Sequence, residues 1–139
     1  MKLELRDLAP YLPYGVKMIF EKSGDIRVLN GLFIELGELR FHFNVINRGQ
    51  TIWNYKPILR PLSDLTKEIE VNGQKFIPIN WLENQYPNLD LHYQCESLLD
   101  DERWINQCEY LLIQHLFEWH FDIFNLIKNN LAIDINALK

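Results

Sequence analysis

The densest run of side chains able to do chemistry is His115-Leu116-Phe117-Glu118-Trp119-His120-Phe121-Asp122. An imidazole and a carboxylate three residues apart share one face of a helix and could hold a metal ion, and ferritin-like carboxylate sites use a related spacing in the opposite order. His120 lies five residues beyond His115, about 140° further around the axis at roughly 100° per residue. His115, Glu118, His120 and Asp122 therefore meet on one ion only if the helix breaks near Trp119. The competing reading is the favoured one: both histidines sit in an aromatic-rich core and bond a backbone carbonyl, Glu118 or Asp122. His42 and His92 would join a metal site only by tertiary coincidence.

Other reactive arrangements are missing from the sequence. It contains no G-x-S-x-G elbow, Gly-rich phosphate loop, H-E-x-x-H or C-x-x-C. Cys95 and Cys108 form at most one bridge, match no zinc spacing and lack a neighbouring base, so both read as reduced thiols, Cys108 as a small buried hydrophobe. No catalytic residue, cofactor or resident metal is expected.

Between Glu38 and Asp64 the chain carries no acid, while Arg40, Arg48, Lys56 and Arg60 stand there among Phe41, His42, Phe43, Trp53 and Tyr55. Cations that track phosphates and rings that stack on bases make a single-strand or RNA platform. The plainer reading buries the rings by alternation and leaves four solvated cations on a strand face. Total charge favours the plainer reading, because 14 Lys and Arg against 19 Asp and Glu leave −5, whereas binding driven by counterion release usually goes with excess cations. That charge is divided: residues 1–75 hold 11 cations and 9 acids (+2), residues 76–139 hold 3 and 10 (−7). Such asymmetry suits oriented docking or head-to-tail self-association. Tyr11, Tyr14, Trp53, Tyr55 and Trp81, near turns and prolines, are amphipathic rings that either anchor an interface or cap the open end of a small sheet.

The elements that must position these groups follow from the pattern. Pro10 and Pro13 make 9–15 an extended or turning entry. Val16–Phe20 reads as a strand, Ser23-Gly24-Asp25 as a turn, and Ile26–Glu35 as a second strand bulged at Asn30-Gly31. Leu36-Gly37 turns the chain into Arg40–Val45, which alternates with Phe41, Phe43 and Val45 inward. Asn47-Arg48-Gly49 is another turn. Pro57 and Pro61 place Tyr55–Leu62 at a sheet edge or a strand end, and Ser63–Thr66 reads as one helical turn. Asn72-Gly73 between short alternating runs is the strongest hairpin signal. From Ser97, a capping box and the recurrence of Ile105, Cys108, Leu111, Leu112, Leu116 and Trp119 predict an amphipathic helix packed on the sheet. Phe121–Ile127 reads as a second, buried helical piece stopped at Asn129-Asn130, and Leu131–Ile135 as a short closing strand.

The expected architecture is therefore α+β: a small, strongly bent antiparallel sheet or SH3-like partial barrel, then a β-hairpin and C-terminal helices packed on it. At 139 residues and 47% hydrophobic content a single domain fits, with a β-rich lobe over 1–66 and a hairpin-plus-helix lobe over 67–139. Lys2, Glu4, Arg6 and Asp7 interrupt the first leucines, so no signal peptide is read, and no run approaches the roughly 18 apolar residues of a membrane span. A cytoplasmic location, with no membrane contact, is expected.

Three stretches carry a family likeness: Leu8-Ala9-Pro10-Tyr11-Leu12-Pro13-Tyr14-Gly15; Lys56-Pro57-Ile58-Leu59-Arg60-Pro61-Leu62-Ser63-Asp64-Leu65; and Glu118-Trp119-His120-Phe121-Asp122-Ile123-Phe124 with Leu131-Ala132-Ile133-Asp134-Ile135-Asn136. Together they resemble a family of small uncharacterised proteins encoded in phage, prophage and related mobile regions of Bacteroidetes genomes. The resemblance spans nearly the whole chain and implies a phage-associated protein of the bacterial cytoplasm, with no activity or functional residue to transfer. The leading expectation is a non-enzymatic accessory domain that binds another protein or itself through Tyr11, Tyr14, Trp53 and Tyr55 and the segment around Tyr55–Leu62. The alternatives are a nucleic-acid-binding module over 40–60 using Arg40, Arg48, Lys56 and Arg60, and a metal-dependent enzyme centred on His115, Glu118 and His120.

Overall fold

The computed structural model describes residues 2–43, 50–51 and 55–138, of which 50 and 51 only by their backbone. Arg48, Trp53, Val45 and the turn expected at 47–49 lie outside the described residues. The chain forms two compact units, Met1–Leu59 with Phe124–Lys139, and Arg60–Ile123. The last residues, from Phe124, belong with the first unit.

The first unit opens with a four-residue helix, α1 (Leu5–Leu8), and a 3-10 segment over Ala9–Tyr14, the turning one of the two expected forms, extended or turning. Pro10 fits because the first residues of a 3-10 segment need no N–H donor, whereas Pro13 lies inside the segment and removes one; Gly15, at φ 65, ends it. Strands β1 (Lys17–Phe20), β2 (Asp25–Glu35), β3 (Glu38–Phe43), β4 (Gln50–Thr51) and β5 (Tyr55–Leu59) follow. The register slips between Leu29 and Gly31, at the bulge read from Asn30-Gly31. Leu36 and Gly37, at φ 52 and 78, make the β2–β3 turn. Phe41 and Phe43 are buried and His42 is exposed, as alternation requires.

The sheet runs β4-β3-β2-β1-β5-β8, with β8 (Ile133–Asp134) parallel to β5 and the other neighbours antiparallel. It is an open, mixed sheet, not the antiparallel SH3-like partial barrel expected. The C-terminal strand extends one edge and does not close a ring. Of the two places expected for Tyr55–Leu62, a sheet edge or a strand end, Pro61 takes the second, beyond the end of β5, while β5 itself lies between β1 and β8. It pairs with β1 through Tyr55, Lys56 and Pro57, and with β8 only through Ile58 and Leu59, so Pro57 sits where the strand has one neighbour and a missing donor is tolerated.

The second unit begins with a 3-10 turn over Leu62–Thr66 and the hairpin β6 (Ile69–Val71) and β7 (Gln74–Phe76), whose Asn72 and Gly73 take φ 52 and 82. A type I′ turn needs both values positive, which is why Asn-Gly signals it. Then come α2 (Pro78–Gln85), α3 (Leu91–Asp100), a 3-10 segment over Glu102–Gln107, and α4 (Tyr110–Glu118). The single long helix expected from Ser97 is therefore three pieces. Ser97 lies inside α3, its hydroxyl donating to the Tyr93 carbonyl at 3.0 Å, and Asp101 breaks the run, its carboxylate accepting from the Arg103 amide at 3.0 Å. The buried helix expected over Phe121–Ile127 is absent. That stretch turns through left-handed Asn125, at φ 62; Asn130, at φ 61, is left-handed where the stop at Asn129-Asn130 was read. The helices bury their apolar faces within their own unit: Leu65, Ile69, Ile79, Leu82, Leu91, Cys95, Leu98, Leu112, Leu116, Trp119, Phe121 and Ile123 form one cluster. Among the described residues, no helix is long and apolar enough to cross a membrane.

Candidate functional site

Helix α4 ends in a way its sequence does not advertise. His120 follows the last turn at φ 62, its amide donating to the Phe117 carbonyl at 3.0 Å, and the Phe121 amide reaches the Leu116 carbonyl at 2.8 Å. This pair of bonds is a Schellman closure, completed by buried Leu116 and Phe121. Glycine is usual at the left-handed position, but histidine is among the residues enriched there. The helix thus breaks at Trp119, the condition set for His115, Glu118, His120 and Asp122 to meet. Even so, among the described residues no three His, Cys, Asp or Glu side chains are grouped to hold a metal ion.

What assembles instead is aromatic. His115 stacks on Trp119, one helical turn away, at 5.0 Å and 26°. Its Nε2 shares a 3.0 Å hydrogen bond with the Tyr86 hydroxyl, and its Nδ1 lies 3.3 Å from Glu118 Oε2 without the alignment of a hydrogen bond. Trp81 meets Trp119 almost perpendicularly, with centroids 5.2 Å apart at 87°, and meets His115 at 5.1 Å. Phe76 of β7 closes the group at 5.1 Å from Trp119 and 6.2 Å from Trp81. All these separations lie in the favourable range for ring pairs. Three elements therefore converge: the hairpin supplies Phe76, α2 supplies Trp81 and, at its end, Tyr86, and the last turn of α4 supplies His115, Glu118 and Trp119.

On the outer side of this cluster is a pocket of about 290 Å³, lined by Val71, Asn72, Gln74, Phe76, Trp81, Glu118 and Trp119. Its floor is aromatic, its hairpin wall is polar, and Glu118, with a side chain 46% exposed, contributes a carboxylate.

Arg60 holds this arrangement together. Its Nε donates to the Trp119 carbonyl at 3.0 Å and its Nη2 to the Glu70 carbonyl at 3.0 Å. Its backbone forms an isolated parallel bridge with Phe121, its amide donating to the His120 carbonyl and its carbonyl accepting from the Asp122 amide, each at 2.8 Å. Burial lowers the Arg60 pKa from its ordinary value, and Asp64 opposes this. The residue read as a phosphate contact is a clamp between the end of α4 and the hairpin.

The other anticipated contacts are scattered. Tyr11 and Tyr55 are buried and pack against Phe124 and against Phe20 and Phe43, respectively, so neither ring is available as a surface anchor. Tyr14 is half-buried. Lys56 pairs with Glu21 at 2.9 Å and reaches Asn130 Oδ1 at 3.2 Å, while Arg40 lies 3.5 Å from Glu38. Of the four platform cations, Arg40 and Lys56 are ion-paired within the first unit and Arg60 belongs to the second. His92 bridges Glu83 and Glu96, both at 3.3 Å, and His42 is exposed in the other unit. Phe76 and Trp119 were missed as site residues because the first reads as a hairpin position and the second as core. The available signal was their company: an Asn-Gly turn followed within eight residues by Phe76 and Trp81, and a histidine one helical turn before a tryptophan. No family model, curated protein or solved structure matches the chain.

Proposed function

We propose that this is a phage-associated, non-enzymatic accessory domain of the bacterial cytoplasm, and that it binds another protein through the aromatic pocket of the Arg60–Ile123 unit. The observation that carries the reading is the pocket itself: half-buried Phe76 and Trp81 line it together with the buried Trp119 and the polar Asn72 and Gln74 of the hairpin. Tryptophan and its aromatic neighbours are the side chains that most often dominate binding energy, because large rigid rings bury much area at little entropic cost. The pocket replaces the tyrosines first singled out, two of which are core. The resemblance to phage and prophage proteins agrees with an accessory role.

The test compares wild-type and Trp81→Ala chains as baits in host lysate, with circular dichroism confirming that both are folded and light scattering reporting self-association. A partner, or a second copy of the chain, retained by the wild type and lost from the variant is the expected result. Identical captures from both baits, or no partner together with an ideal monomer, refute the reading.

A further inference from the structure

The pocket has a chemistry of its own. Among the described residues its lining holds one ionisable side chain, Glu118, and no lysine or arginine. The unit around it, residues 60–123, carries 4 Lys and Arg against 12 Asp and Glu, a net −8, within a chain of −5. A ligand arriving there meets a negative field and then aromatic faces, whose quadrupoles attract cations within about 6 Å of a ring centroid.

The shape narrows the class. Phe76, Trp81 and Trp119 touch one another at 5.1 to 6.2 Å, with interplanar angles of 47° to 87°. They form a corner, not parallel walls. A flat nucleobase or guanidinium gains most from parallel faces, whereas a rounded cation can rest against a corner. An unmodified lysine ammonium is strongly hydrated and brings three N–H donors, for which the only charged acceptor here is Glu118. A quaternary ammonium has no N–H to satisfy, spreads its charge over methyl groups, and leaves water more easily. The volume of about 290 Å³ is several times the roughly 30 Å³ share of one water, enough for such a head and part of its alkyl stem.

We propose that this pocket is a receptor for a quaternary ammonium group, presented as a methylated lysine side chain on a protein partner. The inference rests on the binding-domain reading above and names its ligand. Half-buried Phe76 and Trp81 supply the accessible ring faces of the corner, buried Trp119 packs against both, and Glu118 provides the countercharge.

The experiment titrates the full chain with Nα-acetyl-Nε-trimethyllysine amide, its unmethylated counterpart, and the neutral isostere carrying a tert-butyl group. The readouts are tryptophan fluorescence and the two-dimensional NMR resonances of the Trp81 and Trp119 indole N–H groups. The trimethylated probe should bind roughly tenfold more tightly than the neutral isostere, as a partly desolvated cation–π contact implies. Trp81→Ala should abolish the response. Glu118→Gln, an exposed change that leaves the core intact, should weaken it several-fold and flatten its salt dependence. Equal binding of cation and isostere, tighter binding of unmethylated lysine, or no saturable shift of either indole each overturns the proposal. If a partner is still captured in a Trp81-dependent way and trimethyllysine fails to compete for it, the ammonium inference falls while the binding-domain reading stands.

Discussion

Replacing Arg60 tests whether the pocket is held by a side chain that sequence patterning assigns to the surface. Arg60→Ala removes two hydrogen bonds from a charged donor, the part-buried one to the Trp119 carbonyl and the exposed one to the Glu70 carbonyl, both 3.0 Å. A bond to a charged group contributes about 1.5–3 kcal/mol net, and solvent screening puts the exposed one nearer about 0.5–1 kcal/mol. The favourable placement of a cation at a helix C-terminus is already contained in the first bond and is not added again. The desolvation that lowers the Arg60 pKa works against the gain, so the expected loss is about 2–3 kcal/mol. With a urea m value of about 1–3 kcal/mol/M, that moves the midpoint by roughly 0.7–3 M. Near-UV circular dichroism follows the Trp81–Trp119 pair directly, and its transition should move with the far-UV one. Arg60→Lys should recover about half of the loss, since one ammonium cannot donate to two carbonyls held apart by a planar fork. An Arg60→Ala stability within about 0.5 kcal/mol of wild type, or a lysine variant as stable as the parent, would refute the clamp.

The remaining predictions concern single features. His120→Gly relieves a left-handed residue at the Schellman position and should stabilise the protein by up to about 1 kcal/mol in thermal melts, less what glycine gains in the unfolded chain; a destabilisation would mean that the His120 ring contributes more than its backbone strain costs. The Arg103 guanidinium, hydrogen-bonded to Asp101, holds that carboxylate down at about 2, against an ordinary 3.8. A depressed folded value means that the pair stabilises fully above the ordinary value, and that this is lost as pH falls from about 4 towards 2. The Asp101 carboxyl resonance should titrate in that lower range and move up towards the ordinary value in Arg103→Ala. Cys95 is fully buried and burial pushes its thiol up to about 12, so iodoacetamide at pH 8 should modify it only as the Arg60–Ile123 unit opens. Rapid native-state labelling at Cys95, mapped by mass spectrometry, would contradict that burial.

Local chemistry was enough to place several elements. Asn72-Gly73 specifies a turn with two positive φ values whatever surrounds it, and Arg40–Phe43 alternates because a strand presents successive side chains to opposite faces. The bulge at Asn30-Gly31 and the helical turn near Ser63 are likewise short-range consequences of residue type. The His115–Glu118 neighbourhood also followed from spacing alone.

The rest depends on contacts between residues far apart in the chain. A barrel and an open sheet share the same strand signals, and the parallel docking of Ile133–Asp134 against Ile58–Leu59 is what distinguishes them here. The apolar stripe from Ile105 to Trp119 has the right period for one helix, yet Asp101 and the 3-10 segment divide the region because caps and local hydrogen bonds compete with propagation. Arg60 reads as a free cation until the end of α4 and the hairpin bring two carbonyls within its reach. Phe76, Trp81 and Trp119 are separated by up to 43 residues in sequence. Residue type determined that each would seek an apolar surface, but only the tertiary structure decided that they would find one another and leave an opening, because burial is non-directional and long-range packing chooses which faces are covered.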